Sequence, residues 1–237
     1  MLEIKNLTKK YGKKEALVNA NIIFNKGIYG LLGPNGAGKS TMMNIIADIL
    51  KPTSGGVLYD GQNIKQLKSR YRLKIGYLPQ KVGYYGDFTA KQTLEYFAVL
   101  RGVEKNQMKE RIDRMLAMVN LSENVNDKVR TFSGGMKQRL GIAVTMISEP
   151  EILIFDEPTV GLDPKERLNF RKLLKQISKE RTVILSTHIV SDLNDIADYV
   201  LILKEGCVVE NKKMDSESLE GLYLQYFGND TEDICSE

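Results

Sequence analysis

The chain has 237 residues, 42% of them hydrophobic and 27% charged, a balance that fits a globular protein and excludes a disordered or fibrous one. Its 34 basic and 30 acidic side chains nearly cancel, leaving +4 with no basic block, so charge gives no sign of nucleic-acid binding. Cys207 and Cys235 are far apart and lack metal spacing, which favours a reduced, cytoplasmic setting over a disulfide framework. Met1-Leu2-Glu3-Ile4-Lys5 alternates polar with apolar and does not read as a signal peptide. No apolar stretch approaches the roughly 18 residues that cross a bilayer, so a membrane role would have to go through a partner.

In chain order, residues 2 to 24 read as strands: Leu2–Ile4, a turn around Tyr11-Gly12, then Asn21–Phe24. The apolar run Ile28–Leu32 reads as a buried strand that ends at Gly33. The loop Gly33-Pro34-Asn35-Gly36-Ala37-Gly38-Lys39-Ser40-Thr41 follows, and Ser40 to Leu50 read as a helix. From Gly33 to Ser40 the spacing is G-x-x-x-x-G-K-S, the P-loop pattern, in the strand-to-helix context that it needs. Gly36 and Gly38 can take backbone angles closed to other residues, so successive N–H groups turn around a phosphate at the positive end of the helix. Lys39 can reach the β- and γ-phosphates, and the Ser40 hydroxyl can ligate Mg²⁺. ATP with Mg²⁺ is the expected ligand.

Pro52, Gly55 and Gly56 turn the chain into Val57–Tyr59, and Ile75–Leu78 reads as a short strand stopped by Pro79-Gln80. Thr89–Leu100 and Glu104–Val119 have helical apolar spacing, so residues 81 to 148 read as a helical segment inserted in an α/β core. Within it, Ser133 reads as the N-cap of a helix running to Ile147, with Gly134 and Gly135 freeing the backbone for a second anion site that lacks a lysine. Read alone, that stretch is simply a capped helix.

Glu151–Phe155 is a continuous apolar run, as expected of a central parallel strand, and Asp156-Glu157 follow it. At the carboxyl end of such a strand Asp156 can hold Mg²⁺, and Glu157 can orient and deprotonate a water attacking the γ-phosphate. A helix from Pro164 to Lys179, with Asp163 as N-cap, and strands at Val183–Ser186 and Tyr199–Leu203 complete the alternation of a mostly parallel sheet. The acidic residues 230 to 237 are expected to fray.

Taken in order, Gly33–Thr41, Ser133-Gly134-Gly135 and Ile152–Glu157 resemble the nucleotide-binding subunit of ATP-binding cassette (ABC) transporters. The resemblance covers nearly the whole chain. It implies a P-loop NTPase core of α/β class with a mostly parallel sheet, an N-terminal antiparallel β subdomain and an inserted helical subdomain. It divides the chain into an ATPase domain at 1–215, with the helical part at about 81–148, and a tail at 216–237.

The resemblance also assigns roles. Gln80 matches the Q-loop glutamine that contacts Mg²⁺ or water; Tyr11 matches the aromatic that stacks on adenine; His188 matches the switch histidine at the γ-phosphate; and Asp163, in Gly161-Leu162-Asp163, matches the D-loop. Ser133, Gly134 and Gly135 would close on the γ-phosphate of ATP held by a second subunit, in the simplest case another copy of this chain packed head to tail. The implied partner is an integral-membrane permease, which would place the subunit at the cytoplasmic face of the cell membrane.

Met136 stands where the family most often has glutamine and Phe132 where it often has leucine; a signature ending in Met resembles the branch of drug, antibiotic and polysaccharide exporters. The stretch Ser218–Leu224 is similar to that branch as well. The rival reading is a soluble ABC-type ATPase acting on DNA or ribosomes. Against it, long coiled-coil insertions are absent from the sequence and the motifs occur once.

Overall fold

A computed structural model describes residues 1–81, 83–215 and 218–228; the acidic stretch 230–237, Cys235 included, lies outside the described residues. The chain opens with β1 (Leu2–Tyr11) and β2 (Lys14–Phe24), an antiparallel pair that turns at Gly12. Both strands are longer than their sequence suggests. Their register shifts between Ile4 and Lys10, with left-handed Asn6 and Asn19 nearby, and these bulges break the two-residue alternation on which a reading of the sequence depends. Strand β3 (Gly27–Leu32) and helix α1 (Lys39–Ile46) flank the P-loop. The helix ends at Ile46, four residues before the expected Leu50, and Asp48 beyond it has a φ of 58°.

Strands β4 (Ser54–Tyr59) and β5 (Gln62–Asn63) extend the first sheet in the order β2-β1-β4-β5. Two short helices, α2 (Ile64–Leu67) and α3 (Ser69–Lys74), then lead into β6 (Ile75–Leu78). Next come α4 (Ala90–Leu100), α5 (Lys105–Met118) and α6 (Gly134–Met146). Thr89 starts α4 with a full capping box, closed by Gln92.

The chain returns to the sheet as β7 (Ile152–Asp156), crosses through α7 (Pro164–Ser178) to β8 (Thr182–Ser186), and finishes with β9 (Tyr199–Lys204), β10 (Cys207–Lys213) and α8 (Leu219–Phe227). The second sheet has the order β10-β9-β3-β8-β7-β6 and is parallel except for β10, which pairs antiparallel with β9. β10 is an edge strand whose side chains are all exposed or half-buried, so no apolar run announces it.

The continuous apolar runs are explained by two cores, one on each face of this sheet. Tyr29, Leu31, Ile152, Ile154 and Ile184 meet α1 and the antiparallel sheet on one side. Ile28, Leu32, Leu153, Phe155, Val183 and Leu185 meet the helices α4 to α7 on the other. A strand buried on both faces has no polar side to show, and its residues alternate between the cores while all remaining apolar.

Candidate nucleotide site

The parallel strands point the same way, so the segments leaving β3, β6, β7 and β8 emerge along one edge of the sheet. In open α/β sheets that edge is where ligands gather. The P-loop leaves β3, Gln80 follows β6, Asp156 and Glu157 lie at the end of β7, and His188 follows β8. A cleft of about 270 Å³ opens there. Its walls include Asn35, Gly36, Gly38, Lys39, Ser40 and Thr41 from the P-loop and α1. Asp156, Glu157 and Gln80 face them, with Tyr11, Lys14 and Ala16 from the first sheet closing one end. Lys14 is in the cleft with no sequence signal to mark it, because a lysine just past a hairpin turn carries no motif.

The loop's shape depends on its glycines. Gly33, Gly36 and Gly38 have φ values of 147°, 84° and 107°, all in the region that disfavours side chains. A Cβ on Gly33 would lie 2.3 Å from the carbonyl oxygen of Leu203, and one on Gly38 2.3 Å from that of Ala16. The loop is therefore pressed between β9 and β2, while Gly36 is open on its outer side. Pro34 accepts the Ala37 N–H, and the Ala37 carbonyl accepts from Gly206, so these two residues fix the loop and do not line the cleft. α1 begins at Gly38 with no acidic residue in its first turn, leaving the positive end of the helix facing the cleft.

Lys39 is buried, and its Nζ donates to the carbonyl oxygens of Gly33 (2.5 Å) and Pro34 (3.1 Å). Burial lowers its pKa, opposed by the nearby carboxylates of Glu157 and Asp156. A desolvated ammonium held only by neutral carbonyls is a cation prepared for a polyanion, because phosphate charge would restore what burial removed.

Asp156 and Glu157 are both buried. Asp156 Oδ1 accepts the Ser186 hydroxyl at 2.7 Å. Glu157 has a φ of 51°, unusual for a side-chain-bearing residue, and its N–H donates to the backbone oxygen and the hydroxyl of Ser186. Its carboxylate lies 2.7 Å from Nδ1 of His188, whose imidazole is 60% exposed. The structure thus brings His188 to the acid pair through Glu157, although His188 does not itself line the cleft.

The donor set suits a hard cation. The Ser40 hydroxyl, the Asp156 carboxylate and the Gln80 amide oxygen share one cleft, and all are oxygen donors. Among the described residues no group of three His, Cys, Asp or Glu side chains could hold a metal alone.

Four of the expected site residues lie elsewhere. Ser133 caps α6, its Oγ accepting the Met136 N–H at 3.1 Å, and Ser133 and Gly134 are exposed outside the cleft. Gly135 is buried against Glu166. Asp163 caps α7 by accepting the Glu166 N–H at 2.8 Å and lines a separate cavity of about 320 Å³ with Arg139, Leu162 and Phe170. Within one chain these residues form no part of the nucleotide cleft.

Comparison with known proteins fits this geometry. The family model for ABC transporter matches residues 18–160. The chain is 38% identical to the lantibiotic transport ATP-binding protein SrtF of Streptococcus pyogenes over 226 residues, covering 94% of this chain and 96% of the relative. It is 38% identical to the bacitracin transport ATP-binding protein BcrA of Bacillus licheniformis over 218 residues, 91% of this chain and 70% of that one. Among solved structures, a dimeric post-hydrolysis state of the ATP-binding cassette MJ0796 bound to ADP and Pi superposes with a TM-score of 0.81 at 30% identity, covering 92% of this chain and all of that one. Its P-loop, its acid pair and these relatives agree: the chain belongs to the ABC transporter family, as an ATP-binding and ATP-hydrolysing subunit.

Proposed function

We propose that this subunit drives export of an antibiotic-like compound through a separate permease, by closing on ATP with a second copy of itself. The observation that carries the reading is a split. Lys39, Asp156 and Glu157 share one cleft, while the glycine-led start of α6 is exposed away from it. Each chain has a P-loop half-site and a Ser133–Gly135 half-site, and a head-to-tail pair would join them across ATP. The dimeric relative and the names of the antibiotic-transport relatives support this assembly and this cargo class.

In the closed pair, Gly33 to Thr41 wrap the phosphates and Lys39 binds the β- and γ-phosphates. Ser40, Asp156 and Gln80 would hold Mg²⁺, which would supply charge neutralisation at the phosphates. Tyr11 stacks on the adenine. Glu157 activates the attacking water, and His188 leaves Glu157 to contact the γ-phosphate. From the partner, Ser133, Gly134 and Gly135 bind the γ-phosphate, with Asp163 beside them. Hydrolysis removes the bridging phosphate and the halves part.

Residues 1–215 act as the ATPase, with 81–148 as its helical subdomain; of the segment after 215, α8 packs Leu219, Leu222 and Phe227 into the core on the helical side of the sheet. No described helix is long and apolar enough to cross a membrane, so attachment falls to the permease at the cytoplasmic face. An exposed aromatic cluster lies just beyond Gln80: Tyr85 packs on Phe88 and Tyr96, with ring centroids 5.0 and 5.9 Å apart. Tyr85 is 62% exposed, and Val99 and Leu100 extend the apolar surface along α4. That surface is the proposed seat of the permease, next to Gln80, which lines the nucleotide cleft.

A mixing experiment tests the shared site. Ser133→Arg blocks one half-site, and Lys39→Ala the other. Each should be inactive alone, and a mixture should recover ATPase activity because mixed pairs contain one intact composite site. A mixture as inactive as its components would refute the head-to-tail arrangement.

A further inference from the structure

Ser186 is completely buried at the last rung of β8, paired in register with Asp156 at the end of β7. Asp156 and Ser186 continue the side-chain parity of Ile154 and Ile184, so both project to the α1 side of the sheet, the side of the P-loop helix. A fully buried serine that follows Val183-Ile184-Leu185 needs its hydrogen bonds met, and its hydroxyl meets them at the acid pair. Its hydroxyl donates to Asp156 Oδ1 at 2.7 Å and accepts the Glu157 N–H at 3.1 Å. Its backbone oxygen accepts the same N–H at 3.2 Å.

We infer that Ser186 is a positioning residue for both members of the acid pair, through a single hydroxyl. Its one proton is committed to Asp156 Oδ1, because an ionised carboxylate can only accept, while a lone pair on the same oxygen accepts the Glu157 N–H. This fixes the carboxylate plane and leaves Oδ2 for the cleft that Asp156 lines. The same hydroxyl, with the backbone oxygen of Ser186, anchors the left-handed turn at Glu157, a conformation that persists only where its surroundings impose it. The turn directs the Glu157 carboxylate across to the segment after β8, where His188 meets it. One side chain therefore couples the setting of the metal-side acid to that of the base. Replacing it with alanine removes the coupling and leaves no large cavity.

The inference rests on the reading of Asp156 as a Mg²⁺ holder, and its test separates the two. Affinity for a non-hydrolysable ATP analogue is measured calorimetrically on the full chain, with Mg²⁺ and with EDTA, for Ser186→Ala, Ser186→Thr and Asp156→Asn. Ser186→Ala should match the parent in EDTA, lose about tenfold of the affinity gained with Mg²⁺, and lower kcat by about 10- to 100-fold, the usual range for residues behind a metal ligand. Ser186→Thr, which keeps the hydroxyl, should recover most of the Mg²⁺-linked gain. Parental Mg²⁺ dependence and kcat in Ser186→Ala would overturn the inference, as would an equal loss with and without the metal. If Asp156→Asn loses the Mg²⁺-linked gain and Ser186→Ala does not, only the Ser186 role fails. If Asp156→Asn keeps the gain, the metal assignment fails and takes the Ser186 role with it.

Discussion

Nδ1 of His188 lies 2.7 Å from Oε2 of Glu157, and the backbone N–H of His188 approaches the same oxygen at 3.4 Å. The carboxylate proposed as base is thus engaged by the residue proposed to sense the γ-phosphate. The two side chains differ in exposure, 10% for Glu157 against 60% for His188. The imidazole can swing out without disturbing the core, and the carboxylate cannot. Glu157→Gln should keep ATP binding but lower turnover by about 10³-fold or more, trapping an ATP-bound dimer. His188→Ala should cost less, about 10²-fold, because it removes a contact and leaves the base. Phosphate release and light scattering measure both; a Glu157→Gln variant that hydrolyses at the parental rate would refute the base assignment.

Lys39 tests the other wall of the cleft. Its ammonium is buried on two neutral carbonyls, so the side chain is held at some cost in solvation. Lys39→Ala should weaken nucleotide binding and slow chemistry together, by about 10²-fold or more in kcat/KM. Thermal stability without nucleotide should change little, since a desolvated charge is removed along with its hydrogen bonds. Undiminished ATP affinity would count heavily against the cradle.

Arg139 ties the Ser133-capped helix to the start of α7. Its Nη1 donates to the carbonyls of Val119 and Asn120 after α5, and its Nε pairs with Glu166 at 3.3 Å. Glu166 in turn lies over Gly135, where a Cβ would sit 2.3 Å from its Oε2. Arg139→Ala should cost about 2 kcal/mol, since it frees two carbonyls and strands a carboxylate. For a chain of this size that is about 4–8 °C in Tm. Glu166→Gln should cost less than about 1 kcal/mol, as for a part-exposed pair. A calorimetric double-mutant cycle showing no coupling between the two would disprove the tie.

Acid pH should act at the opposite end of β7. Glu151 accepts from Lys74 and from the Tyr59 hydroxyl, and these hydrogen bonds hold its carboxyl below the usual range against the opposing effect of desolvation. Because the folded pKa is depressed, the contribution is full above the unfolded value of about 4.3 and disappears as pH falls through the folded value. The side chain is half exposed, so solvent screens the pair and the effect stays below about 1 kcal/mol. Glu151→Gln should lower Tm slightly at pH 7 and flatten its decline below pH 4. An acid limb that is unchanged would remove Glu151 from the account.

Much of this arrangement is legible in the sequence, for identifiable reasons. The P-loop and the acid pair are local patterns set beside continuous apolar strands, and both cores follow from those strands. Asp163 and Ser133 are legible as helix caps because capping acts within four residues, and both side chains do cap. What escapes is non-local. The bulged halves of β1 and β2 lose their alternation, β10 has no buried face, and α2 and α3 are too short to show a period. Ser186 resembles any strand-ending serine until Asp156 is placed beside it. The constraint on Gly33 comes from Leu203, 170 positions along the chain, and no spacing rule reaches that far.

The P-loop glycines give the sharpest contrast between conformation and space. Gly36 and Gly38 both have positive φ, so alanine at either is strained by about 1–2 kcal/mol. Beyond that they differ. A Cβ at Gly36 meets nothing within 4 Å, whereas one at Gly38 meets the Ala16 carbonyl oxygen at 2.3 Å and the Leu17 side chain at 3.0 Å. Ala16 is backbone of a paired strand and cannot yield cheaply, so Gly38→Ala must push the start of α1 away from β2. Gly38→Ala should therefore unfold at least about 2 kcal/mol more easily than Gly36→Ala. It should also lose ATP binding, because displacing α1 carries Lys39 and Ser40 with it. Gly36→Ala should fold nearly normally and bind ATP more weakly, its methyl group standing on the loop's open side. Chemical denaturation and nucleotide titration of the two variants distinguish these outcomes, and equal destabilisation by both would show that backbone angle alone, and not the packing against Ala16, sets the requirement for glycine.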